Sequence, residues 1–347
     1  MRALLLSKYR QFEVAEMPLP PIGEDEVLIQ VEACGICGSD VHGFDGSSGR
    51  RMPPIVMGHE AAGTIAAVGS AVRGFKKNDR VTFDSTIYCG ACANCKRGDV
   101  NLCDNRQVLG VSCNEYRRAG AFAEFVAVPA RVVYQLPDSI SFAEASMLET
   151  VAVALHGVSL AGIQPNNTAL VVGAGTIGLL TLQALRAEGC DRVFIMDVDA
   201  TRLKRATELG ATEAILANTD ALPKLMNLTG GGGVDVAIEA VGKTDTIGVA
   251  IKSVRKGGTV VLVGNISSEV SIPLQAVVSR QIRLQGSCAS AGEYPRAIEF
   301  MAKGAIRVKA MISAVVPLEE GPQWFERLYA GEPNLMKVVL TPGHARE

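Results

Sequence analysis

The feature that most constrains the fold of this chain is a glycine-rich turn, Gly-Ala-Gly-Thr-Ile-Gly, at residues 173–178. An apolar run at residues 170–172 precedes the turn, and apolar residues at helical spacing follow it as far as residue 185. Gly189 then supplies a helix stop signal. A turn of this kind between a buried strand and a helix is typical of a βαβ unit that binds a dinucleotide.

Each residue of the turn has a separate task in such a site. Gly173 allows the tight turn, Gly175 lets a pyrophosphate approach the backbone, and Gly178 lets the helix pack closely against the strand. Thr176 and Ile177 open the helix, whose unpaired N–H groups and positive dipole end attract phosphates. We therefore treat all five as candidate cofactor-binding residues.

A carboxylate at the end of the next strand indicates which dinucleotide is bound. Asp197 follows the predicted strand 192–196 and comes 19 residues after Gly178. A carboxylate at this place binds the 2′-hydroxyl of the adenosine ribose and repels a 2′-phosphate. The sequence therefore predicts NAD rather than NADP.

Strands alternate with helices from about residue 150, whereas short strands dominate the first third of the chain. The alternating part predicts a parallel sheet with helices on both faces; its predicted elements are strands 192–196, 214–216, 234–238 and 259–263 and a helix at 200–209. The first third predicts a small, mostly antiparallel barrel or sandwich; its strand-like segments are 27–32, 63–69, 80–83 and 122–128. The tail after residue 288 is mixed, with predicted helices near 294–303 and 318–328 and a last strand at 337–340.

Length and charge exclude several classes of protein. A chain of 347 residues predicts about two domains. Because 34 basic residues stand against 36 acidic ones, we expect neither a nucleic acid nor a membrane as partner. Residues 150–185 lack charge, but a Gln-Pro-Asn-Asn segment at 164–167 interrupts them, and we interpret them as buried soluble structure. The apolar run at residues 3–6 is too short for a signal peptide, so we expect a cytoplasmic protein with reduced thiols.

Four of the nine cysteines lie close together in a C-x2-C-x2-C-x7-C pattern: Cys89, Cys92, Cys95 and Cys103. Four thiolates at this spacing can close a tetrahedral zinc site that leaves no position for a substrate, so we predict a structural zinc ion. Two disulfides or four idle thiols are the alternatives. The reducing location and the odd cysteine count disfavour the first, and the clustering disfavours the second.

A second metal site is suggested by Cys37 together with the adjacent pair His59 and Glu60. A cysteine, a histidine and a carboxylate with one open position make a catalytic zinc site. Cys34 precedes Cys37 by three residues, so a pair of cysteines is an alternative ligand set.

Taken together, these motifs resemble the zinc-containing medium-chain alcohol and polyol dehydrogenases, over nearly the whole chain. The resemblance implies an α/β protein in which a Rossmann doubly wound parallel sheet is inserted into a GroES-like, mostly antiparallel β-barrel catalytic domain. It places the catalytic domain at residues 1–150 and 289–347 and the NAD-binding domain at residues 151–288. It also implies two zinc ions per chain, NAD, and a homotetramer or homodimer.

The resemblance assigns further residues to the catalytic zinc ion. Cys37 and His59 become ligands, and Glu149 stands where the classical alcohol dehydrogenases have a second cysteine. That departure points to the sorbitol dehydrogenase-like branch, in which a carboxylate completes the ligand set. Glu60 and Glu149 compete for this role, and the sequence leaves the choice open. Asp40 is expected to orient the ligand histidine.

Proton transfer and cofactor contacts follow from the same resemblance. Ser39 and His42 match the proton relay of the family, and Arg202 matches a residue beside the adenosine ribose. Val263, at the end of a predicted strand, is a further cofactor contact, and Lys337 matches a contact to a cofactor phosphate near the C-terminus.

The expected reaction interconverts a secondary alcohol of a polyol or diol and its ketone by hydride transfer, with zinc as the Lewis acid. A sugar phosphate, a sugar acid or L-threonine are alternative substrates. Either the pair Arg50 and Arg51 or the pair Arg117 and Arg118 would bind the first two, unless all are solvated loop residues. Polar residues at 111–118 are expected to border the pocket; these are Ser112, Cys113, Asn114 and Tyr116.

Two other classes remain as alternatives. One is an inactive cofactor-binding sensor or structural protein, and the other is a zinc-free reductase on the same fold. Intact ligand and relay residues argue against both. His156 is expected in the core rather than at a metal, and His344 is expected to have no role.

Overall fold

The structure of the protein is a computed structural model that describes residues 1–111 and 117–343, without the side chain of Arg117. The chain divides into two compact units. The first contains Met1–Glu149, Tyr294–Ala302 and the described residues from Val308 onward, and the second contains Thr150–Glu293 and Lys303–Arg307. The domain boundaries at residues 150 and 288 stay a prediction.

Strands and helices cover much of both units. The strands are β1 Arg2–Lys8, β2 Gln11–Glu16, β3 Glu26–Gly35, β4 Ile55–Val56, β5 Glu60–Val68, β6 Arg80–Phe83, β7 Thr86–Ile87, β8 Gln107–Leu109, β9 Arg117–Arg118, β10 Phe125–Pro129, β11 Val133–Gln135, β12 Thr168–Val172, β13 Arg192–Asp197, β14 Glu213–Leu216, β15 Val234–Glu239, β16 Val254–Leu262, β17 Arg283–Gly286, β18 Ile312–Pro317 and β19 Lys337–Thr341. The α-helices are α1 Gly38–Phe44, α2 Ala93–Arg97, α3 Phe142–Ala145, α4 Leu148–Ala161, α5 Thr176–Ala187, α6 Ala200–Glu208, α7 Ala221–Leu228, α8 Thr244–Ser253, α9 Leu274–Ser279, α10 Tyr294–Ala302 and α11 Gly321–Tyr329.

The first unit is built on mostly antiparallel sheets. Its largest sheet has the order β11-β6-β5-β3-β19-β18, and β10 pairs with β3 as well. Buried and half-buried residues alternate along β3, as expected for a strand with one face on the core. The core beneath it contains a cluster of phenylalanines, and Phe325 of α11 contacts both Phe12 and Phe122.

Strand pairing in this unit brings distant parts of the chain to one place. At the end of β3, Gly35 pairs with Glu60, the first residue of β5, and on its other side with Val339 of β19. Cys37 follows β3 directly, and His59 precedes Glu60. The sheet therefore places the predicted catalytic metal ligands side by side.

The second unit contains one sheet of six parallel strands in the order β14-β13-β12-β15-β16-β17. The strand order reverses at β12: β13 and β14 extend the sheet on one side of it, and β15, β16 and β17 extend it on the other. In open parallel sheets this reversal creates a crevice at the carboxyl ends of the strands, where dinucleotides bind. The predicted fold class, a parallel Rossmann sheet together with a mostly antiparallel GroES-like unit, is confirmed.

The charge-free residues 150–185 fold into most of α4, the strand β12 and most of α5. Among the described residues no helix has both the length and the apolar character required to cross a bilayer. One predicted element differs in detail: the helix expected at 318–328 begins with a 3₁₀ turn, Leu318–Glu320, before α11. Pro322 lies in the first turn of α11, where its missing N–H has no partner to lose.

Candidate metal centres and cofactor site

The four clustered cysteines converge in the first unit, around the short helix α2. Their ligand atoms all lie within 4.8 Å of one another. The sulfur of Cys92 is 3.5 Å from that of Cys95 and 3.9 Å from that of Cys103. Zn–S bonds of about 2.3 Å in a tetrahedron place sulfur atoms about 3.8 Å apart. The group therefore fits a zinc ion, whereas a disulfide needs about 2.05 Å.

Backbone N–H groups of the loop also favour a thiolate at Cys89. The N–H groups of Ala91 and Cys92 each donate to the sulfur of Cys89 over 3.4 Å, and that of Cys89 donates to the sulfur of Cys103. In the metal-free chain these backbone donors lower the pKa of Cys89 to about 6. A thiolate is the form that binds a metal. Every described cysteine is free of disulfide bonds.

The second group consists of Cys37, His59 and Glu60, whose ligand atoms also lie within 4.8 Å of one another. Cys37 is the N-cap residue of α1, and its sulfur accepts a hydrogen bond from the N–H of Ser39. His59 is 7% exposed and Glu60 is completely buried. A thiol, an imidazole and a carboxylate that converge in a buried place are the donors that Zn²⁺ prefers in catalytic sites.

Asp40 lies next to this group, and its part in orienting His59 stays a prediction. Its Oδ2 accepts from the N–H of Cys37 over 3.2 Å, and its Oδ1 lies 3.4 Å from Nδ1 of His59. That Nδ1 is buried and has no hydrogen-bond partner in the structure. Burial raises the pKa of Asp40, but His59 and then Arg51 outweigh burial and lower this pKa well below its usual range. Asp40 therefore faces His59 as a carboxylate.

Glu60 has a partner that the sequence did not suggest. Lys337 of β19 is 3% exposed, and its ammonium group donates to Oε2 of Glu60. A side chain at Gly35 would begin 2.5 Å from that oxygen, so the glycine leaves the space that the pair occupies. The contact of Lys337 with a cofactor phosphate stays a prediction.

Glu149 lies in the first turn of α4 and is outside the group of three. Burial raises its pKa to about 7, His59 opposes the rise, and Glu60 and Asp84 add to it. Its carboxyl group is thus within electrostatic range of the metal group. Of the two competing carboxylates, the geometry favours Glu60 as the direct ligand.

The two relay candidates lie on α1. Ser39 and His42 are both exposed and three residues apart, so they share one face of the helix. The hydroxyl oxygen of Ser39 accepts a hydrogen bond of 3.1 Å from Nη2 of Arg51. Their part in proton transfer stays a prediction.

In the second unit, the glycine-rich turn has the geometry of a dinucleotide loop. Gly173 has a φ of +100°, which glycine adopts without strain. A Cβ on Gly178 would lie 1.8 Å from the carbonyl oxygen of Gly173, whereas a Cβ on Gly175 would meet open space. Thr176 and Ile177 begin α5 immediately after the N-cap residue Gly175.

Asp197 ends β13 beside this turn. Its Oδ2 accepts from the N–H of Ala174 over 2.6 Å, and its Oδ1 accepts from the N–H of Asp199. The carboxylate therefore fixes the turn in place, and its contact with a ribose stays a prediction. Arg202 is half-exposed and lies 3.6 Å from Asp199. Val263 follows β16 and donates its N–H to the carbonyl of Glu239.

Comparisons with known proteins identify the family of the chain. The family model for the alcohol dehydrogenase GroES-like domain matches residues 23–138, and that for zinc-binding dehydrogenases matches residues 176–303. Sorbitol dehydrogenase of Bacillus subtilis is 35% identical over 348 residues, which cover 99% of this chain and 97% of that protein. This chain belongs to the zinc-containing medium-chain alcohol and polyol dehydrogenases.

Two solved structures with bound cofactors are similar to this dehydrogenase. A protein of Sinorhizobium meliloti 1021, described as a zinc-binding dehydrogenase bound to NADP, has a TM-score of 0.88 and 34% identity, covering 98% of this chain and 99% of that one. A protein of Escherichia coli CFT073, described as a short chain alcohol dehydrogenase complexed with NADH, has a TM-score of 0.90 and 29% identity, covering 99% of both chains.

The arginines that a phosphate or carboxylate substrate would need are partly engaged in this dehydrogenase. Arg51 is 4% exposed and contacts Asp40. Arg118 donates to Glu26 over 2.5 Å and to the carbonyl of Ala127. Arg50 is exposed. The side chain of Arg117 lies outside the described part of the chain; so do four predicted pocket residues and a histidine of the tail, namely Ser112, Cys113, Asn114, Tyr116 and His344.

Sequence reasoning missed three buried side-chain pairs. Lys337 contacts Glu60, Arg51 contacts Asp40, and His156 Nδ1 lies 2.8 Å from Oε1 of Glu293 in the second unit. The last contact agrees with the prediction that His156 belongs to the core. No sequence signal announces these pairs, because their partners are separated by 277, 11 and 137 residues.

Proposed function

We propose that this protein is a zinc- and NAD-dependent oxidoreductase that interconverts a secondary alcohol of a polyol or diol and the corresponding ketone. The observation that carries the proposal is the convergence of Cys37, His59 and Glu60 within 4.8 Å, in a chain that also has a dinucleotide loop. Membership in a family of zinc-containing dehydrogenases supports it. The catalytic domain is formed by residues 1–150 and 289–347, and the NAD-binding domain by residues 151–288.

Each side chain of the metal group has a distinct task in this reaction. Cys37, His59 and Glu60 hold the catalytic zinc ion, Asp40 orients His59, and Glu149 stands near as a second carboxylate. When bound, zinc supplies Lewis acidity that lowers the pKa of the substrate alcohol, and NAD accepts the hydride. The group offers three protein ligands, which leaves one tetrahedral position open.

Proton removal falls to the exposed face of α1. Ser39 accepts the proton of the alcohol at its hydroxyl oxygen and passes on its own. His42, one turn further along, carries a proton toward solvent, because an imidazole nitrogen can both accept and donate a proton. The hydrogen bond from Arg51 to the oxygen of Ser39 leaves the hydroxyl hydrogen free to be donated elsewhere.

The cofactor site is assigned to the turn at 173–178. Gly173, Gly175, Thr176, Ile177 and Gly178 surround the pyrophosphate. The ribose contacts are Asp197 and Arg202, and a further cofactor contact is Val263. NAD is preferred because the carboxylate of Asp197 repels a 2′-phosphate. Of the solved relatives, one carries NADH and another carries NADP, so the preference for NAD requires a direct comparison of the two cofactors.

The substrate class rests on the relatives and on the arginines. The similarity to a sorbitol dehydrogenase favours a polyol. A sugar phosphate or sugar acid is disfavoured because Arg51 and Arg118 are already paired with carboxylates. The four-cysteine group holds a second, structural zinc ion. We also propose a cytoplasmic homotetramer or homodimer, following the habit of the family.

The test is the reduction of NAD by zinc-loaded protein against a panel of polyols, vicinal diols, L-threonine, sugar acids and sugar phosphates, with NADP in parallel. The proposal expects turnover with at least one polyol or diol, and a higher kcat/KM with NAD than with NADP. Activity confined to a phosphorylated or acidic sugar would overturn the substrate class. Absence of activity across the panel, in protein that contains two zinc ions per chain, would overturn the enzyme proposal.

A further inference from the structure

A buried arginine lies next to the metal group without any assigned task. Arg51 stands in the loop between α1 and β4, and its side chain is 5% exposed. Its Nη2 donates to Oδ1 of Asp40 over 3.0 Å and to the hydroxyl oxygen of Ser39 over 3.1 Å. A guanidinium group is costly to bury unless it is paired, and these two contacts offset part of that cost, while its Nε is buried without a hydrogen-bond partner.

A glycine leaves the space that the side chain of Arg51 occupies. Gly43 lies in α1, where a Cβ would stand 2.2 Å from Cγ and 2.9 Å from Cβ of Arg51. Any other residue at position 43 would displace the arginine stem from the helix. The absence of a side chain at Gly43 therefore allows the buried cation of Arg51 to lie next to Asp40.

Arg51 contacts one residue next to the metal ligands and one residue of the proposed proton relay. Asp40 accepts from the N–H of Cys37 with one oxygen, while the oxygen bound by Arg51 is also the one 3.4 Å from Nδ1 of His59. Ser39, the other acceptor, is the first residue of the proposed relay. The guanidinium of Arg51 thus contacts both the carboxylate of Asp40 and the hydroxyl of Ser39.

We propose that Arg51 is a positioning residue of the metal centre, which fixes Asp40 against His59 and orients the hydroxyl of Ser39. The inference rests on the proposed function, because it assigns Arg51 a task toward the zinc ion and the relay. Lysine is a poor substitute, since its ammonium is a point charge on a flexible stem, whereas the planar guanidinium holds several donors in a fixed fork.

The experiment compares wild type with Arg51→Met, Arg51→Lys and Gly43→Ala. Arg51→Met keeps the aliphatic stem and removes the charge, and Gly43→Ala keeps the arginine and displaces its stem. Arg131→Met is the matched control, because Arg131 is an exposed arginine of the same unit that pairs with Asp25. For each protein we would measure the transfer of zinc to a chromogenic chelator, kcat and KM with the best polyol, NAD affinity and thermal unfolding.

The expected result is selective. In Arg51→Met one of the two zinc ions is released about tenfold faster or more, and kcat falls by about tenfold or more, as is usual when a residue behind a metal ligand is lost. NAD affinity remains at the wild-type value. Gly43→Ala shifts the same readouts in the same direction by a smaller factor, Arg51→Lys recovers part of the loss, and Arg131→Met matches wild type.

Four outcomes would overturn the inference. Arg51→Met could release zinc and turn over like wild type, or it could lose NAD affinity and thermal stability together with zinc, which would make Arg51 merely structural. If Arg51→Met does not fold, a Gly43→Ala protein with wild-type zinc release and kcat is sufficient to reject the positioning role. A wild-type chain with two zinc ions but without dehydrogenase activity would overturn the proposed function alone, because zinc release still tests Arg51. A wild-type chain with only one zinc ion would overturn both.

Discussion

Two glycines of the glycine-rich turn at residues 173–178 should respond differently to the same added methyl group. At Gly178 a Cβ would lie 1.8 Å from the carbonyl oxygen of Gly173 and 2.8 Å from its carbonyl carbon. Carbon and oxygen atoms in close contact stay about 3.3–3.6 Å apart. Helix α5 and strand β12 would therefore have to separate by about 1.5 Å at this point.

The cost of Gly178→Ala follows from what surrounds the clash. The opposing atoms belong to the backbone, so no side-chain rotation can relieve them, and Gly178 is buried. Overpacking of this kind costs about 1–3 kcal/mol, and we expect the upper end here. At about 2–4 °C per kcal/mol for a unit of this size, the Tm should fall by roughly 6–12 °C.

Gly175→Ala is the matched control for stability and the sensitive variant for binding. Gly175 has φ −73° and ψ −171°, which alanine adopts, and its Cβ would meet open space. Alanine lowers the conformational freedom of the unfolded chain, which stabilises the folded protein by about 0.4–1 kcal/mol. Alanine is also a poorer N-cap residue than glycine, which offsets this gain. The Tm should therefore hardly change. The methyl group, however, occupies the space of a pyrophosphate, and losing one charge-assisted hydrogen bond of about 1.5–3 kcal/mol weakens NAD binding roughly 10- to 100-fold.

Thermal unfolding by circular dichroism and calorimetric titration with NAD separate the two effects. We expect Gly178→Ala to lose stability and Gly175→Ala to lose NAD affinity at nearly wild-type stability. A Gly178→Ala protein as stable as wild type would refute the steric account of the turn. A Gly175→Ala protein with wild-type NAD affinity would refute the placement of the pyrophosphate.

Three further outcomes test other parts of the account. Cys103→Ser should lower the zinc content by one ion per chain and reduce the Tm, as measured by metal analysis and thermal unfolding; unchanged zinc content would contradict a structural site. After dialysis against a chelator, Glu60→Gln should retain less zinc than Glu149→Gln, and the reverse order would make Glu149 the direct ligand. Glu293→Gln should cost about 1–3 kcal/mol at pH 7, because it replaces the charged partner of a buried hydrogen bond with His156. Burial raises the pKa of Glu293, but His156 and backbone N–H groups outweigh it and lower this pKa below its ordinary 4.5. The carboxylate therefore stabilises the fold fully above pH 4.5, and this contribution is lost as the pH falls through the lowered pKa. The difference in free energy of unfolding between wild type and Glu293→Gln, measured with urea, should accordingly become smaller in acid. A difference that does not change with pH would contradict this role of Glu293.

The sequence predicts the architecture well because the decisive signals are local. The strand, the glycine turn and the helix at residues 170–185 lie within one stretch, and each reflects the period of its own element. The four-cysteine group is equally local, since it spans residues 89–103. Pattern alone therefore predicts the parallel sheet and the metal-binding loop.

The environment of the catalytic metal group is less accessible, because strand pairing creates it. Glu60 and Lys337 meet only because β3 lies between β5 and β19. The choice between Glu60 and Glu149 likewise depends on distances that no motif encodes. The burial of Arg51 cannot be predicted for a different reason. An arginine in a loop belongs to no periodic pattern, and the space for its stem depends on Gly43.

The most direct test of the central claim is zinc content and NAD reduction of Cys37→Ala beside wild type. The account expects two zinc ions per wild-type chain, one per Cys37→Ala chain, no detectable turnover of a polyol by the variant, and an NAD affinity close to that of wild type. A Cys37→Ala protein that contains one zinc ion and still reduces NAD at the wild-type rate would contradict the claim that Cys37, His59 and Glu60 form the catalytic metal site.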